Sequence, residues 1–230
     1  MSSTVRKIII LLLTLALLIP AAGAEEPVAY IALTFDDGPS DRFTTALLGG
    51  LNQRNVDATF FLCGYRMETY GDLPAQIKAG GHEIGLHGYS HDSMADMSTS
   101  TIADELTRTR ALLSDDYLIN LMRTPGGTQT DAVSQAAQDA GLAIIHWSLD
   151  PMDWATRDAS LIEQRILDNV QDGDIILMHD MTDSSVEAAL AIVDALQARG
   201  YRFLTVSQLA MLRLCHLESG RRYCSFRLRL

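Results

Sequence analysis

Apolar residues along this chain gather in short runs, and between the runs they recur every third or fourth position. The runs fall at 28–35 (VAYIALTF), 58–62 (ATFFL), 82–86 (HEIGL), 118–123 (LINLMR), 142–148 (LAIIHWS), 174–178 (DIILM) and 202–204 (RFL). Short runs without strict alternation have the texture of strands covered on their outer face. The stretches 41–54, 71–80, 98–113, 130–140, 159–170 and 184–198 carry the helical period. Glycine ends several of them just before a run, at Ala79–Gly80, Ala140–Gly141 and Arg199–Gly200, which is the glycine stop of a helix. Strand and helix alternating in this way predict an α/β fold on a parallel sheet. The periodicity does not distinguish a closed barrel from an open sheet.

The polar residues refine this picture. Every unusual polar cluster follows a strand: DDGP the first, HGYSH the third, RTPGG the fourth, DPMDW the fifth and HD the sixth. In β/α folds the carboxyl ends of parallel strands form the functional face. Five clusters therefore converge on one face.

The beginning and end of the chain read differently from its middle. Arg6 and Lys7 precede an apolar run of twelve residues, Ile8–Ile19, which Pro20 and the small residues of AAGA terminate. This is the pattern of a secretory signal peptide cut after Ala24, with an uncleaved anchor as the alternative. Cleavage leaves residues 25–230, one domain's length, with 16 Lys and Arg against 29 Asp and Glu, a net charge of −13. Such a charge opposes general nucleic-acid binding. The catalytic domain is expected over 25–214. The segment 215–230 reads as a basic tail, because five Arg and one Glu lie between Arg213 and the end. It is expected to be a solvated edge strand blunted by charge, with contact to an anionic polymer or lipid surface as the alternative. Cys63 sits in an apolar strand and reads as a buried thiol. Cys215 and Cys224 have the spacing of a hairpin clip, and export makes a disulfide possible.

The clusters themselves suggest chemistry. His87 and His91 stand four apart, and on a helical turn two imidazoles at that spacing share one side. With a carboxylate from Asp36 or Asp37 they would leave open positions on a divalent ion. Neighbouring side chains on a strand point to opposite faces, so one Asp can ligate while the other takes a proton from water. A turn Asp followed by a capping Asp is the plainer alternative. His179 ends an apolar strand, either as a satisfied core group or as a general acid. Asp150 and Asp153 can orient it or pair with Arg123. Trp154 can stack beneath a sugar ring or belong to the core. His82 and His146, inside strand runs, read as structural, and His216 takes no role.

Taken together, TFDDGP, HGYSH, RTPGG, DPMDW and LMHD resemble, in order, the five motifs of the polysaccharide deacetylases, the NodB-homology group of carbohydrate esterase family 4; they span residues 34–180. The resemblance implies a distorted (β/α)7 barrel, one divalent metal and removal of acetyl groups from a polysaccharide. It assigns Asp36 as catalytic base and Asp37, His87 and His91 as metal ligands. Arg123 resembles the arginine that positions the base, and Asp153 with Trp154 resembles the fourth motif. His179 resembles the general acid, and Leu177 the apolar residue lining the acetyl pocket. Zinc is the expected metal, with cobalt, nickel or manganese also suited to the donors. The sequence departs from the pattern twice. Gly88 stands where many members carry Ser or Thr, which removes a hydroxyl that fixes the loop and predicts a looser one. Gly126 stands where many carry an aromatic residue. Its N–H still serves an oxyanion hole, but the ring is lost.

The leading expectation is a secreted or cell-wall-associated N-deacetylase acting as a monomer on peptidoglycan or a chitin-like glycan, with no nucleic-acid partner and no membrane span after cleavage. An O-acetyl esterase of the xylan type and a non-catalytic glycan-binding module are the competing readings. None of the catalytic residues is missing, which counts against the last.

Overall fold

The computed structural model describes residues 29–228. The expected signal peptide lies outside them. Eight strands form one sheet: β1 (Ala29–Asp36), β2 (Thr59–Leu62), β3 (Glu83–Leu86), β4 (Leu121–Met122), β5 (Ala143–Ile145), β6 (Ile175–His179), β7 (Tyr201–Phe203) and β8 (Arg222–Tyr223). Their order is β6-β1-β2-β3-β4-β5-β8, with β7 joined to β1, and every strand pair is parallel. Around the sheet lie α1 (Asp41–Gln53), α2 (Gly64–Thr69), α3 (Leu73–Ala79), α4 (Thr99–Arg110), α5 (Asp131–Asp139), α6 (Ala159–Leu167), α7 (Asp183–Ala198) and α8 (Val206–Leu212). This curled parallel sheet is the expected distorted (β/α)7 barrel. The six helical stretches and seven apolar runs expected from the sequence all form elements.

Local chemistry starts the helices where they start. Ser40, Ser98, Thr130, Asp158, Thr182 and Thr205 each accept a backbone N–H of the first turn through the side chain. Such caps contribute about 1 kcal/mol apiece.

The period of two along the strands divides the core. Ile31, Leu33 and Phe35 belong to an outer cluster shared with α1, α6 and α7, whereas Ala32 joins Phe61, Leu121, Ile145 and Ile175 inside the sheet's curve. Val206, Leu209 and Ala210 of α8 fill the same inner cluster. The backbone N–H groups of Val206 and Ser207 reach Thr59 Oγ1 at 3.0 Å and Glu83 Oε2 at 3.2 Å. Thr59 and Glu83 are the first residues of their strands, so α8 closes the interior at the end where the strands begin. The inward positions at the opposite end are left for polar residues.

The tail differs from expectation. β8 does end the strand order, as an edge beside β5, but it is not wholly solvated: Tyr223 and Phe226 are buried in the inner cluster. An Asp174–Ser225 bridge and a Leu149–Ile176 bridge return the sheet towards β6. Two arginines of this basic stretch pair with acids of the body, Arg213 with Asp172 and Arg227 with Asp174 at 2.6 Å, and Arg221 pairs with Glu218 of the tail itself. Cys63, Cys215 and Cys224 are all free thiols, so the expected clip between the last two is not made.

Candidate active site

Extending the inward register to the strand ends gives the site. Two residues beyond Ala32 comes Thr34, and two beyond that Asp36. Arg123 lies two beyond Leu121, and His179 four beyond Ile175. Asp36 and His179 meet at the mouth of the barrel in a cleft of about 420 Å³, together with Asp37, His87, His91, Leu177 and Trp154, while Thr34 and Arg123 lie buried beneath it.

Arg123 is fully buried at the end of β4. Its guanidinium donates to Asp36 Oδ1 at 2.7 Å, Thr34 Oγ1 at 2.8 Å, and the carbonyls of Ile145 and His146 at 3.0 Å each. Phe61 lies beneath its plane at 4.2 Å. Arg123 thus occupies one oxygen of Asp36, and the other, Oδ2, lies 3.8 Å from His87 Nε2.

Asp37 leaves the strand with φ of +71°, a left-handed conformation that non-glycine residues adopt at a cost. The turn breaks the alternation and brings its carboxylate beside that of Asp36 rather than to the opposite face. Asp37 Oδ1 lies 3.3 Å from His87 Nε2 and 2.9 Å from His91 Nε2. The two histidines do not share a helical turn. His87 ends the β3 run, and the chain folds back through Gly88 at φ +76° and His91 at φ +66°, which sets the rings 5.2 Å apart. Burial pushes the Asp37 carboxyl up, but the adjoining imidazoles of His87 and His91 outweigh it and hold the group far below the usual carboxylate range. The adjoining Asp37 carboxylate in turn raises His91.

These three residues fit a divalent cation. His87 Nδ1 faces the Arg123 carbonyl at 2.9 Å, where only an N–H makes a bond, so Nε2 presents a lone pair. That lone pair points at Asp37 Oδ1, a buried oxygen with no conventional hydrogen-bond donor. Two acceptors at this separation need a positive centre between them. The three ligand atoms lie within 4.8 Å of one another, and one carboxylate with two imidazoles is a common donor set for zinc and its neighbours.

On the other side of the cleft, His179 is held by one carboxylate through two bonds. Its ring Nδ1 lies 2.8 Å from Asp153 Oδ1, and its backbone N–H donates to Asp153 Oδ2 at 2.9 Å. Asp153 is fully buried. Burial lowers the imidazole, but Asp153, followed by the charges of Asp36 and Asp37, raises it to about 9. Asp150 does not share this task and does not meet Arg123: its carboxylate accepts the Met152 N–H at 2.7 Å. Trp154 is 57% exposed, which removes it from the core and leaves its ring on the cleft wall. Gly126, at φ +62°, lines the same cleft, and no atom lies within 4 Å of where a Cβ would stand. His82 and His146 are buried away from it, each with an unpartnered Nε2.

The structure gives parts to residues that the sequence left without a role. Trp147 lines the cleft and stacks on His146. Asp180, fully buried, accepts the Thr44 hydroxyl, and its carbonyl accepts Ser40 Oγ at 3.1 Å, which ties the DDGPS turn to the end of β6. Burial raises its carboxyl to about 6. Glu105 of α4 reaches the loop between the two histidines. Its signal in the sequence is an acid on the buried stripe of a helix, in line with Ile102, Leu106 and Thr109.

Comparison with known proteins bears on this geometry. The family model for polysaccharide deacetylase matches residues 23–145. A peptidoglycan-N-acetylglucosamine deacetylase of Bacillus cereus is 37% identical over 185 residues, covering 78% of this chain and 87% of that protein. The peptidoglycan-N-acetylglucosamine deacetylase PgdA of Listeria monocytogenes is 34% identical over 181 residues, again 78% of this chain. The match spans only 38% of the Listeria protein's length. Among solved structures, a family 4 acetyl xylan esterase from Clostridium thermocellum in complex with a cobalt ion superposes with a TM-score of 0.79 at 30% identity, over 86% of this chain and all of that one.

Proposed function

The chain belongs to the polysaccharide deacetylase family, and on that premise we propose that it is an extracytoplasmic, metal-dependent hydrolase removing N-acetyl groups from a wall or chitin-like glycan, with peptidoglycan the favoured substrate. The observation that carries this reading is the pair of clamped groups flanking the Asp37, His87 and His91 triad. Arg123 holds Asp36 on one side, and Asp153 holds His179 on the other. Export rests on the apolar segment Ile8–Ile19 of the sequence.

The roles follow from which atoms are free. Zinc is the metal we assign to the triad, and cobalt, nickel and manganese suit the same donors. The chemistry such a cation supplies when bound there is polarisation of the acetyl carbonyl and acidification of water. Arg123 holds Asp36 oriented through Oδ1, so Oδ2 accepts a proton from the attacking water as its oxygen bonds to the acetyl carbon. The Gly126 N–H donates to the carbonyl oxygen as negative charge builds on it. Asp153 holds the Nδ1 proton of His179, leaving Nε2 to protonate the sugar nitrogen as the C–N bond breaks. The products are acetate and a free amine. Leu177 and Trp147 exclude water around the acetyl methyl, and Trp154 offers a face to the sugar ring.

The named relatives from Bacillus and Listeria act on peptidoglycan by their names, which supports the amide reading. The superposed Clostridium structure is an acetyl xylan esterase, which supports removal of O-acetyl groups as the second reading. Acetate release by the purified protein from peptidoglycan, chitooligosaccharides and acetylated xylan decides between them. Release from xylan alone would overturn the amide assignment.

A further inference from the structure

The loop that carries His87 and His91 has no regular structure of its own. Two of its five residues, Gly88 and His91, are left-handed. Its carbonyls are taken by the start of α2: the Gly64 N–H donates to the Gly88 oxygen and the Tyr65 N–H to the Tyr89 oxygen, each at 3.0 Å. The preceding residue, Cys63, donates to the Gly38 oxygen at 2.9 Å, which joins the same helix start to the turn bearing Asp37. The His87 N–H still donates to the Leu62 oxygen at 2.9 Å, but those of Tyr89 and Ser90 face the other way, towards α4, where the backbone offers them no acceptor.

Glu105 supplies it. The carboxylate is buried at 7% exposure, and its Oε2 accepts the N–H of Tyr89 and of Ser90 at 2.8 Å each and Ser90 Oγ at 3.1 Å. Three donors on one carboxylate oxygen form a strong set, because bonds to a carboxylate are about twice as strong as those between neutral groups. Met94 and Glu105 also fill the space beside Gly88. A Cβ there would lie 3.0 Å from Met94 Cε and 3.4 Å from Glu105 Oε2, on a backbone that already disfavours it. The anchor therefore comes from the neighbouring helix rather than from a side chain in the loop.

We propose that Glu105 is a positioning residue for the metal site: by fixing the Tyr89–Ser90 backbone it sets the distance of His91 and His87 from Asp37, and with it the affinity for a divalent cation. This rests on the metal reading above. The test is zinc titration of the metal-stripped full chain against a competing chromophoric chelator, with melting followed in parallel. Glu105→Ala is expected to bind zinc about 10–100-fold more weakly, the usual loss when a group supporting a ligand is removed. Glu105→Gln, whose amide oxygen accepts the same bonds, should stay within a few-fold of the parent. If the alanine variant does not fold, Glu105→Asp takes its place, since it keeps the charge but falls one methylene short. A folded variant lacking the three bonds but binding zinc with parental affinity overturns the proposal, even if its melting temperature falls. A parent chain that takes up no zinc overturns the metal reading and this inference together.

Discussion

Asp36 and His179 are register partners, the last residues of the adjacent parallel strands β1 and β6. Partners in a parallel pair carry their side chains on the same face. A carboxylate held by Arg123 and an imidazole held by Asp153 therefore enter the cleft side by side, and the sheet itself fixes their spacing. Two titratable groups with separate partners can hold opposite protonation states, as acid–base chemistry requires.

If His179 is the acid, its value depends on the leaving group. His179→Ala should lose about 10²–10⁴-fold on an N-acetyl glycan. It should lose far less on an aryl acetate, whose phenolate departs without a proton. Steady-state rates on both substrates check this, and equal losses on both would assign His179 to support of the site. Asp153→Asn should resemble it in kind, because the amide no longer holds the Nδ1 proton.

The raised His179 pKa makes a statement about stability. The group is protonated in the folded protein up to about 9 and, when unfolded, up to its ordinary 6.5. Its contribution is complete below the unfolded value and is lost as pH rises through the folded one. It amounts to a few kcal/mol at most, on the order of 1.4 kcal/mol per pKa unit. Urea unfolding in chelator should show stability falling between these limits, with a shallower fall in His179→Gln. A bound cation opposes the imidazolium charge, so the alkaline limb of the loaded enzyme should lie below that of the metal-free chain.

Arg123 and Asp36 form a buried ion pair, and a buried pair is most costly when half of it is removed. Arg123→Met should destabilise by about 3–5 kcal/mol, leaving Asp36 buried without its cation. The double variant Arg123→Met with Asp36→Asn should recover part of that loss. Denaturation of the four proteins gives the coupling, and purely additive losses would show that the pair does not act as a unit.

How much of this was legible in the sequence depended on whether the signal was local. The strands and most helices follow from periodicity, and Asp36, Arg123 and His179 from polar residues that end apolar runs. Residues 206–212 were not legible as an element, and the strand expected in the tail was legible only as an edge, not as the seat of a buried Tyr223. Each owes its structure to burial inside the barrel, where Val206, Leu209 and Tyr223 meet strands distant in sequence. The spacing of His87 and His91 was legible as a ligand pair but not as a loop, because its shape depends on Gly88 and on Glu105 from another helix. The motif resemblance linked Arg123 to the base, but the residues by themselves left it to Asp150 or Asp153, and its bond to Asp36 depends on the register of β1 against its neighbours.

The two adjacent aspartates provide the sharpest test, since Asp36→Asn and Asp37→Asn are the same chemical change one residue apart. Asp37 Oδ1 lies within 3.3 Å of both imidazoles, whereas Asp36 spends one oxygen on Arg123 and keeps its other 3.8 Å from His87. Asp37→Asn replaces an anionic donor with a neutral one, so zinc affinity should fall and excess zinc should restore part of the activity. Asp36→Asn removes the proton acceptor and leaves the triad intact. Zinc should stay bound, the rate should fall about 10²–10⁴-fold, and no added metal should restore it. Chelation should silence the parent reversibly. Zinc titration and acetate release, measured on the three proteins together, separate the roles. Rescue of Asp36→Asn by metal would exchange the two assignments, and full activity in either variant would remove that carboxylate from the mechanism.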